Sequence, residues 1–399
     1  MSPRRTNPTP APSRAPRGRP PAHGGPTAPR VPRRPQGSHT QQWTPGAEHM
    51  ALYAGLVLRA ESGFYTVGPL PDHLATALLA EAQEPPEEGG PARAWGALTL
   101  LPELILACPR LDRTVQCTLA GRLKRGERTN TNPVSIGDCV AVRLAGETEG
   151  VVEGRAARHT ELSRMAAGES GQKHVLAANL DLMIVVVGLR EPPPNLPRLD
   201  RFLVAAEDGR THALICANKA DLGQPGEAER LLAAYPPLGY PVVVTSAKTG
   251  QGIAELRAVL GQGISAVVGV SGVGKSSLLN TLQPGLRLRF AELSESTGKG
   301  RHTTSTAELI PLDGGGYVAD TPGLRSIAPW NVAPAEIALL FPEMRALVGQ
   351  CRFSSCSHRH EPGCAVRDAL AAGAIDPGRY DSYVKIYDGA EAEEDALYR

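Results

Sequence analysis

The feature that most constrains the fold is a G-x-x-x-x-G-K-S motif, formed by Gly269, Val270, Ser271, Gly272, Val273, Gly274, Lys275 and Ser276. The motif begins at the end of the apolar run 264–270 and is followed by the helical segment 277–280. A strand, a turn and a helix in this order direct backbone N–H groups at phosphate oxygens. The motif therefore predicts a nucleotide phosphate site, in which Lys275 neutralises the β- and γ-phosphates and Ser276 ligates Mg²⁺.

Continuous apolar runs on both sides of this motif predict the strands of a parallel sheet that is buried on both faces. They occupy residues 182–187, 213–217, 241–245, 264–270 and 316–319. Helical segments such as 228–234 and 253–260 alternate with them. This alternation predicts a doubly wound α/β domain.

Two loops at the ends of these strands predict recognition of guanine. One loop contains Asn218, Lys219, Ala220 and Asp221, and the other contains Ser246, Ala247 and Lys248. The Asp221 carboxylate can accept hydrogen bonds from the N1–H and N2–H₂ groups of guanine, whereas adenine has an acceptor at N1. Each charge-assisted bond contributes roughly 1.5 to 3 kcal/mol, so the loop is expected to select GTP over ATP.

Two further segments are predicted to respond to the γ-phosphate. Asp320 follows the run 316–319 and is placed to hold Mg²⁺ through water, and the N–H of Gly323 is placed to contact the γ-phosphate. The polar, Gly-containing segment 300–305 lies between them and the phosphate loop. A threonine in such a segment can complete the Mg²⁺ coordination and be released on hydrolysis. Of the two candidates, Thr303 and Thr304, we assign Thr304 to the ion.

The order of these loops is inverted relative to conventional small GTPases, because the base-reading loops at 218 and 246 precede the phosphate loop at 269. A parallel sheet tolerates this order if the original termini are adjacent and joined, since the strand neighbours do not change. The sequence therefore predicts a circularly permuted GTPase domain.

Together with the segment 158–164, these motifs resemble the circularly permuted ribosome small-subunit-dependent GTPases, the RsgA or YjeQ group. The likeness covers about residues 50–390, and the segments 269–277, 300–304 and 320–323 match the sequence motifs of that family. The resemblance implies an OB-like N-terminal barrel, a permuted P-loop GTPase domain and a C-terminal zinc module. It also implies that Ser277 joins the nucleotide contacts, and that the small (30S) ribosomal subunit stimulates GTP hydrolysis during its late maturation.

Catalysis by this chain is expected to depend on a partner. Leu324 stands where Ras-like enzymes place a glutamine that orients water, and a leucine cannot do so. Intrinsic hydrolysis is therefore expected to be slow. The resemblance nominates His302 to position the attacking water, beside Lys275 and Gly323; the alternative is a solvent-facing loop histidine.

A late cluster of thiols and imidazole predicts a metal site. Cys351, Cys356, His358 and Cys364 have the spacing C-x₄-C-x-H-x₅-C, and three thiolates with one imidazole suit tetrahedral Zn²⁺. The same spacing occurs in the RsgA-like family. Free thiols near a surface loop are the alternative, and His360 is a rival ligand outside the pattern. Cys108, Cys117, Cys139 and Cys216 lie in apolar runs and are expected to be core residues.

Composition changes along the chain predict four regions: a disordered Pro/Arg-rich extension (1–46), an OB-like β-barrel (47–165) with an insertion at about 71–110, the permuted GTPase domain (166–328), and a zinc-binding domain with an acidic tail (329–399). Short apolar runs at 55–58, 64–67, 115–119 and 137–142 indicate the barrel. The barrel serves either as a spacer or as a nucleic-acid binder, and the Arg-rich extension is either dispensable or contacts phosphates.

Composition also limits the setting in which the chain works. Its 399 residues are 41% hydrophobic but 4% aromatic, so the core is expected to be aliphatic. No run reaches the ~18 apolar residues of a membrane span, and the seven cysteines do not form a disulfide pattern. We therefore expect a cytoplasmic monomer that contacts no membrane.

Two other classes of function remain open at this stage. One is an RNA-binding assembly factor with a regulatory or vestigial nucleotide site. The other is a permuted GTPase with a different task, either on another RNA-containing partner or in metal or membrane-protein handling. Intact phosphate and base motifs argue against the first, and the barrel and zinc cluster favour an RNA-containing partner over metal or membrane-protein handling.

Overall fold

The computed structural model of the chain describes residues 52–76, 99–100, 105, 107–124, 132–165, 173–261, 263–285, 306–321 and 332–397. The predicted disordered extension, most of the predicted insertion and the segment 300–305 lie outside these residues. The strands are β1 (Leu52–Glu61), β2 (Phe64–Pro69), β3 (Thr99–Leu100), β4 (Val115–Leu119), β5 (Cys139–Leu144), β6 (Glu149–Ala156), β7 (Glu161–Met165), β8 (Lys173–Ala178), β9 (Leu182–Gly188), β10 (His212–Asn218), β11 (Val242–Val244), β12 (Ile264–Val268), β13 (Ala307–Pro311) and β14 (Tyr317–Asp320).

The helices are α1 (Gly121–Lys124), α2 (Leu196–Asp208), α3 (Glu227–Leu231), α4 (Ile253–Leu260), α5 (Lys275–Leu282), α6 (Pro342–Arg345), α7 (Ala365–Ala371) and α8 (Pro377–Leu397). Short 3₁₀ helices cover Ala220–Leu222, Pro236–Leu238 and Pro334–Leu340. In the part of the chain that the structure describes, none of the helices has both the length and the apolar character that a membrane span requires.

The GTPase sheet has the parallel order β11-β10-β9-β12-β14, with β13 antiparallel to β14 at its end. Successive residues of β9 enter two different cores. Val185 packs on the side that holds α2, and Ile184 packs on the side that holds α4 and α5. Each large aliphatic side chain buried in this way contributes roughly 1.5 to 3 kcal/mol. The predicted doubly wound sheet is therefore confirmed.

The N-terminal strands join this sheet through β1, which pairs with β13. β1 pairs along one edge with β5 at Leu52 to Leu56 and, further along, with β13 at Arg59 and Ala60. Its other edge pairs with β2, which continues to β4, β6 and β3, while β5 also pairs with β6. The predicted strands are present, and the OB-like assignment stays a prediction.

A separate hairpin of β7 and β8 follows the N-terminal strands, and its two strands lie on either side of the predicted boundary at 165 and 166. Buried Arg158 holds its base, because the guanidinium lies 2.7 Å from Asp138 Oδ1 and 3.3 Å from Glu161 Oε2. Lys173 on β8 also pairs with Glu161. Charge pairing therefore connects the hairpin to the loop before β5.

The C-terminal segment packs on α2 of the GTPase domain. Its core contains Phe341 and Tyr383 together with Val204 from α2. Arg379 is 1% exposed, and its Nη1 lies 2.7 Å from Asp200 Oδ1 of α2. Its Nε donates to Glu343 Oε1 at 2.8 Å. A buried ion pair thus joins α8 to the GTPase domain.

Candidate nucleotide and metal sites

The predicted phosphate loop connects β12 to α5, as its sequence context requires. Gly269 has a φ of +142° and Gly274 a φ of +94°, values that favour glycine. A Cβ on Gly274 would lie 2.5 Å from Asn218 Nδ2, so only glycine allows this close approach. Ser276 and Ser277 are exposed in the first turn of α5. The loop therefore presents a helix N-terminus and small side chains to its open side.

Lys275 lies over the phosphate loop. Its Nζ donates to the carbonyl oxygens of Gly269 at 2.8 Å and Val270 at 2.9 Å. These contacts hold the ammonium group at the loop itself, where a phosphate chain bound by the backbone N–H groups would meet it. The remaining loop residues, Ser271, Gly272 and Val273, complete the turn before α5.

Asn218 connects the base loop to the phosphate loop. It is buried at the end of β10, and its Nδ2 donates to the carbonyl oxygen of Val273 at 2.9 Å. Its Oδ1 accepts from Thr245 Oγ1 at 3.2 Å and from the N–H of Ala247 at 3.4 Å. One side chain therefore joins three loops that lie far apart in the sequence.

Asp221 is positioned by the second base loop. Ser246 Oγ donates to Asp221 Oδ1 at 2.7 Å, and Thr249 N–H donates to Ser246 Oγ at 3.1 Å. Lys248 Nζ lies 3.8 Å from Asp221 Oδ2, and the side chains are 80% and 14% exposed, respectively. Ser246 thus holds the carboxylate in place through Oδ1, while Oδ2 lies near the exposed side chain of Lys248.

Two contacts in this region were not anticipated from the sequence. Thr245 is fully buried and bonds Asn218, while Lys219 Nζ donates to the carbonyl oxygen of Glu191 in the loop after β9. Lys219 has a φ of +66°, and the neighbouring Ala220 N–H donates to the Thr245 carbonyl oxygen at 3.0 Å. Neither Thr245 nor Glu191 belongs to a motif, so only their placement in the fold identifies them.

Asp320 lies at the same edge of the sheet as the phosphate loop. It ends β14, which runs parallel to β12 with Ala266 opposite Ala319. The carboxyl ends of adjacent parallel strands meet at one edge, where ligands bind in open α/β sheets. His302, Thr303, Thr304 and Gly323 lie outside the described residues, so their predicted roles stay predictions.

The predicted zinc ligands lie together. One ligand atom from each of Cys351, Cys356, His358 and Cys364 is within 4.8 Å of all the others. Zn²⁺ bonds of about 2.3 Å to sulfur and 2.0 Å to nitrogen place tetrahedral ligands roughly 3.5 to 3.8 Å apart. The Cys351 and Cys364 Sγ atoms are 3.9 Å apart, and they lie 3.4 and 3.5 Å from His358 Nδ1. The four side chains therefore fit one Zn²⁺ ion.

Neighbouring polar groups orient the segment that carries these ligands. Tyr380 OH donates to the His358 carbonyl oxygen at 2.8 Å, and Tyr383 OH donates to the Ser357 carbonyl oxygen at 2.8 Å. Glu361 Oε1 accepts from the Ser357 N–H at 2.8 Å. His360 is exposed and is not part of the cluster. Helix α8 thus supports the metal-ligand loop from one side.

The remaining cysteines are mostly core residues, as predicted. Cys117, Cys139 and Cys216 are buried, whereas Cys108 is partly exposed. Burial raises the pKa of Cys117 to about 12 and also that of Cys216 to about 12. Among the described residues, none of these three thiols belongs to the cluster of Cys351, Cys356, His358 and Cys364.

Comparison with known proteins agrees with this geometry. The RsgA GTPase family model matches residues 155–330. The small ribosomal subunit biogenesis GTPase RsgA of Gemmatimonas aurantiaca is 44% identical over 274 residues, which are 68% of this chain and 89% of that protein. The corresponding protein of Moorella thermoacetica is 46% identical over 272 residues, with coverage of 68% and 89%.

Solved structures show the same relationship. YjeQ from Thermotoga maritima matches with a TM-score of 0.60 and 31% identity, over 85% of this chain and 98% of that one. YloQ, a circularly permuted GTPase, matches with a TM-score of 0.57 and 25% identity, over 88% and 98%. The predicted resemblance and the inverted order of the loops are thereby confirmed. The chain belongs to the RsgA family of circularly permuted GTPases.

Proposed function

We propose that this chain hydrolyses GTP in the service of small ribosomal subunit biogenesis, the role in the printed names of its relatives. The low intrinsic rate, the stimulation by the small subunit and the timing late in maturation belong to this proposal. So do a cytoplasmic location, a monomeric state and the division into an OB-like region (47–165), a GTPase domain (166–328) and a zinc-binding domain (329–399).

One observation supports the proposal most strongly. The 2.9 Å hydrogen bond from Asn218 Nδ2 to the Val273 carbonyl oxygen brings the base loop against the phosphate loop, although the base loop comes first in the sequence. A guanine contacted by Asp221 and a triphosphate cradled by the loop can then belong to one nucleotide.

Within this site each residue has a distinct role in the proposal. The Asp221 carboxylate accepts hydrogen bonds from guanine, and Lys275 balances the β- and γ-phosphate charge. Ser276 and Asp320 hold Mg²⁺, with Thr304 as a further ligand. His302 positions the attacking water, because Leu324 cannot do so.

The zinc proposal concerns structure rather than catalysis. Cys351, Cys356, His358 and Cys364 would hold one Zn²⁺ as a closed set of four ligands. A closed set has no open position for substrate, which is typical of a structural site. Coordination would supply stability that a short loop lacks.

The direct test measures GTP turnover with and without purified small ribosomal subunits, together with co-sedimentation in a non-hydrolysable GTP analogue. We expect slow hydrolysis alone, acceleration by the subunits, and co-sedimentation that requires the GTP form. Turnover that ignores saturating subunits, with no co-sedimentation, would contradict the ribosomal role while leaving the GTPase assignment intact.

The proposed role of His302 can be tested in the same assay. His302→Ala is expected to lower subunit-stimulated turnover by about 10²-fold, because positioned groups for proton transfer and water orientation contribute on this order. GTP affinity should remain unchanged. His360→Ala is the matched control, since His360 is exposed and outside the metal cluster. An unchanged rate in His302→Ala removes the assignment.

A further inference from the structure

A third loop lies against both the phosphate loop and the base loop. This β9–α2 loop spans residues 189–195 and contains none of the residues predicted to bind the nucleotide. Pro192 packs so closely on the phosphate loop that a Cβ on Gly272 would lie 3.3 Å from Pro192 Cδ. At the end of β9, a Cβ on Gly188 would lie 3.6 Å from Val273 Cα. The chain at the end of β9 and in this loop therefore packs on the backbone of the phosphate loop.

The β9–α2 loop also contacts the base loop at its start and just beyond its end. At the start, the Leu189 N–H donates to the Asn218 carbonyl oxygen at 3.0 Å. The neighbouring Lys219 Nζ donates to the carbonyl oxygen of Glu191. Beyond the end, a Cβ on Gly223 would lie 3.3 Å from Leu189 Cδ1. One loop outside the nucleotide motifs therefore supports the segment that carries the base-reading residues.

An ion pair fixes the chain that follows the base loop. Arg190 Nη1 lies 2.5 Å from Glu227 Oε1, and Arg190 Nη2 lies 3.0 Å from Glu227 Oε2. Two such bonds hold a carboxylate more firmly than a single contact, because the guanidinium is a planar fork. Glu227 Oε2 also accepts from the Gln224 N–H at 2.8 Å. Arg190 thus holds α3 at its first residue, shortly after Asp221 in the chain.

The attraction between these two side chains is open to screening by salt. The side chains of Arg190 and Glu227 are 43% and 24% exposed. Hydrogen bonds from Arg190, and next from the Gln224 N–H, lower the pKa of Glu227, so its carboxylate is charged at neutral pH. Dissolved ions screen the attraction between partly exposed charges. The hold of the β9–α2 loop on the chain after the base loop therefore weakens as ionic strength rises.

This arrangement concerns the guanine end of the proposed nucleotide site. Asp221 and Lys219 must move away from a bound guanine nucleotide before it can leave, whereas Lys275 acts at the phosphates. Loosening of the base loop is thus expected to change nucleotide release and not the cleavage of the γ-phosphate. Affinity differences among variants of one site arise mostly in the dissociation rate, and product release limits the turnover of many enzymes.

We propose that Arg190 and Glu227 are a positioning pair, whose ion pair holds the base loop closed on guanine and slows the release of GDP. Because the pair is partly exposed, the release of GDP is faster at high ionic strength. The inference rests on the proposed nucleotide site, since it assigns a role in the release step of that site.

The test uses the full chain loaded with mant-GDP, a fluorescent GDP, which excess GDP displaces in a stopped-flow instrument. Arg190→Gln and Glu227→Gln are each expected to raise the release rate about 2- to 5-fold at low salt, the effect of losing one well-formed surface ion pair. The double variant should release GDP no faster than either single variant, because both substitutions remove the same interaction. Raising KCl from about 0.05 to 0.5 M should accelerate release more in the wild type than in the variants.

Two further measurements separate positioning from a general effect on the fold. The melting temperature and the rate of GTP cleavage in a single turnover should stay close to those of the wild type. Arg345→Gln is the matched control, because Arg345 pairs with Glu207 at 2.6 Å and the two side chains are 51% and 24% exposed. Glu207 lies near the end of α2 that is remote from the β9–α2 loop, so GDP release should not change in this control.

Release rates of Arg190→Gln and Glu227→Gln that equal the wild-type rate overturn the proposal. A double variant in which the two accelerations multiply also overturns it, and so does an equal acceleration in Arg345→Gln. A single-turnover rate that falls as much as the release rate rises assigns the pair to the chemical step and contradicts a positioning role. A wild type that does not bind mant-GDP contradicts the proposed nucleotide site and this inference with it, and this result is distinct from normal binding with unaltered release.

Discussion

Replacing Asp221 by asparagine should change the base preference of the nucleotide site without unfolding it. In the structure Asp221 Oδ1 accepts from Ser246 Oγ at 2.7 Å, and an asparagine carbonyl oxygen can accept the same bond. The second oxygen becomes an NH₂ group, which faces the N1–H and N2–H₂ donors of guanine with a donor. Xanthine has a carbonyl at C2, so it offers this NH₂ group an acceptor.

The expected magnitude follows from the bonds that change. Two charge-assisted hydrogen bonds at roughly 1.5 to 3 kcal/mol each correspond to about 3 to 6 kcal/mol. With 1.4 kcal/mol per factor of ten, guanine nucleotide affinity should fall by about 10² to 10⁴-fold. Loss of the pairing with Lys248 adds little, because that side chain is 80% exposed and such pairs contribute about 0 to 1 kcal/mol.

Isothermal titration calorimetry with GDP and with xanthosine diphosphate measures both affinities. Asp313→Asn is the matched control, an exposed aspartate between β13 and β14 that is away from the base loops. Guanine affinity within a few-fold of wild type in Asp221→Asn, with an unchanged melting temperature, would refute the placement of guanine against Asp221.

Three further predictions concern stability. Cys356→Ser should bind less than one zinc ion per chain, as measured by atomic absorption. Removal of zinc from the wild-type protein with a chelator should lower the melting temperature of the protein. A full zinc complement in the variant contradicts the ligand assignment. Arg379→Met should cost about 3 to 5 kcal/mol in urea unfolding, because the buried carboxylates of Asp200 and Glu343 lose their cation. Burial favours protonation of Glu161, but its two cationic partners outweigh this and lower its pKa. Glu161 should therefore contribute its full share to the free energy of unfolding above the unfolded pKa of ~4.3, and this contribution should be lost as pH falls below that value. The decrease in the free energy of unfolding should be smaller in Glu161→Gln.

The sequence was most informative where local pattern and chemistry coincide. The buried strands β9, β10 and β12 read as apolar runs because both of their faces enter a core, and the loops at their carboxyl ends carry polar motifs. The zinc ligands were found for a similar reason, since their spacing is short enough for one loop.

Long-range pairing was the part that local pattern could not predict. β13 contains Pro311 and only two buried apolar residues, Leu309 and Ile310, so it lacks the run that marks the other strands. Its pairing with β1 depends on residues far away in the chain. The bond between Arg379 and Asp200 likewise has no local signal, because each residue alone reads as an ordinary surface charge.

The divided edge of β1 has a consequence for how the chain acquires its structure during synthesis. Ala60 leaves the ribosome about 250 residues before its partner Ala307. At synthesis rates of about 5 to 20 residues per second, that interval is on the order of 10 to 50 s. For this time the end of β1 has unpaired backbone groups, which can pair with another nascent chain. The N-terminal strands can pair early, but completion of this edge must wait until most of the protein has been made.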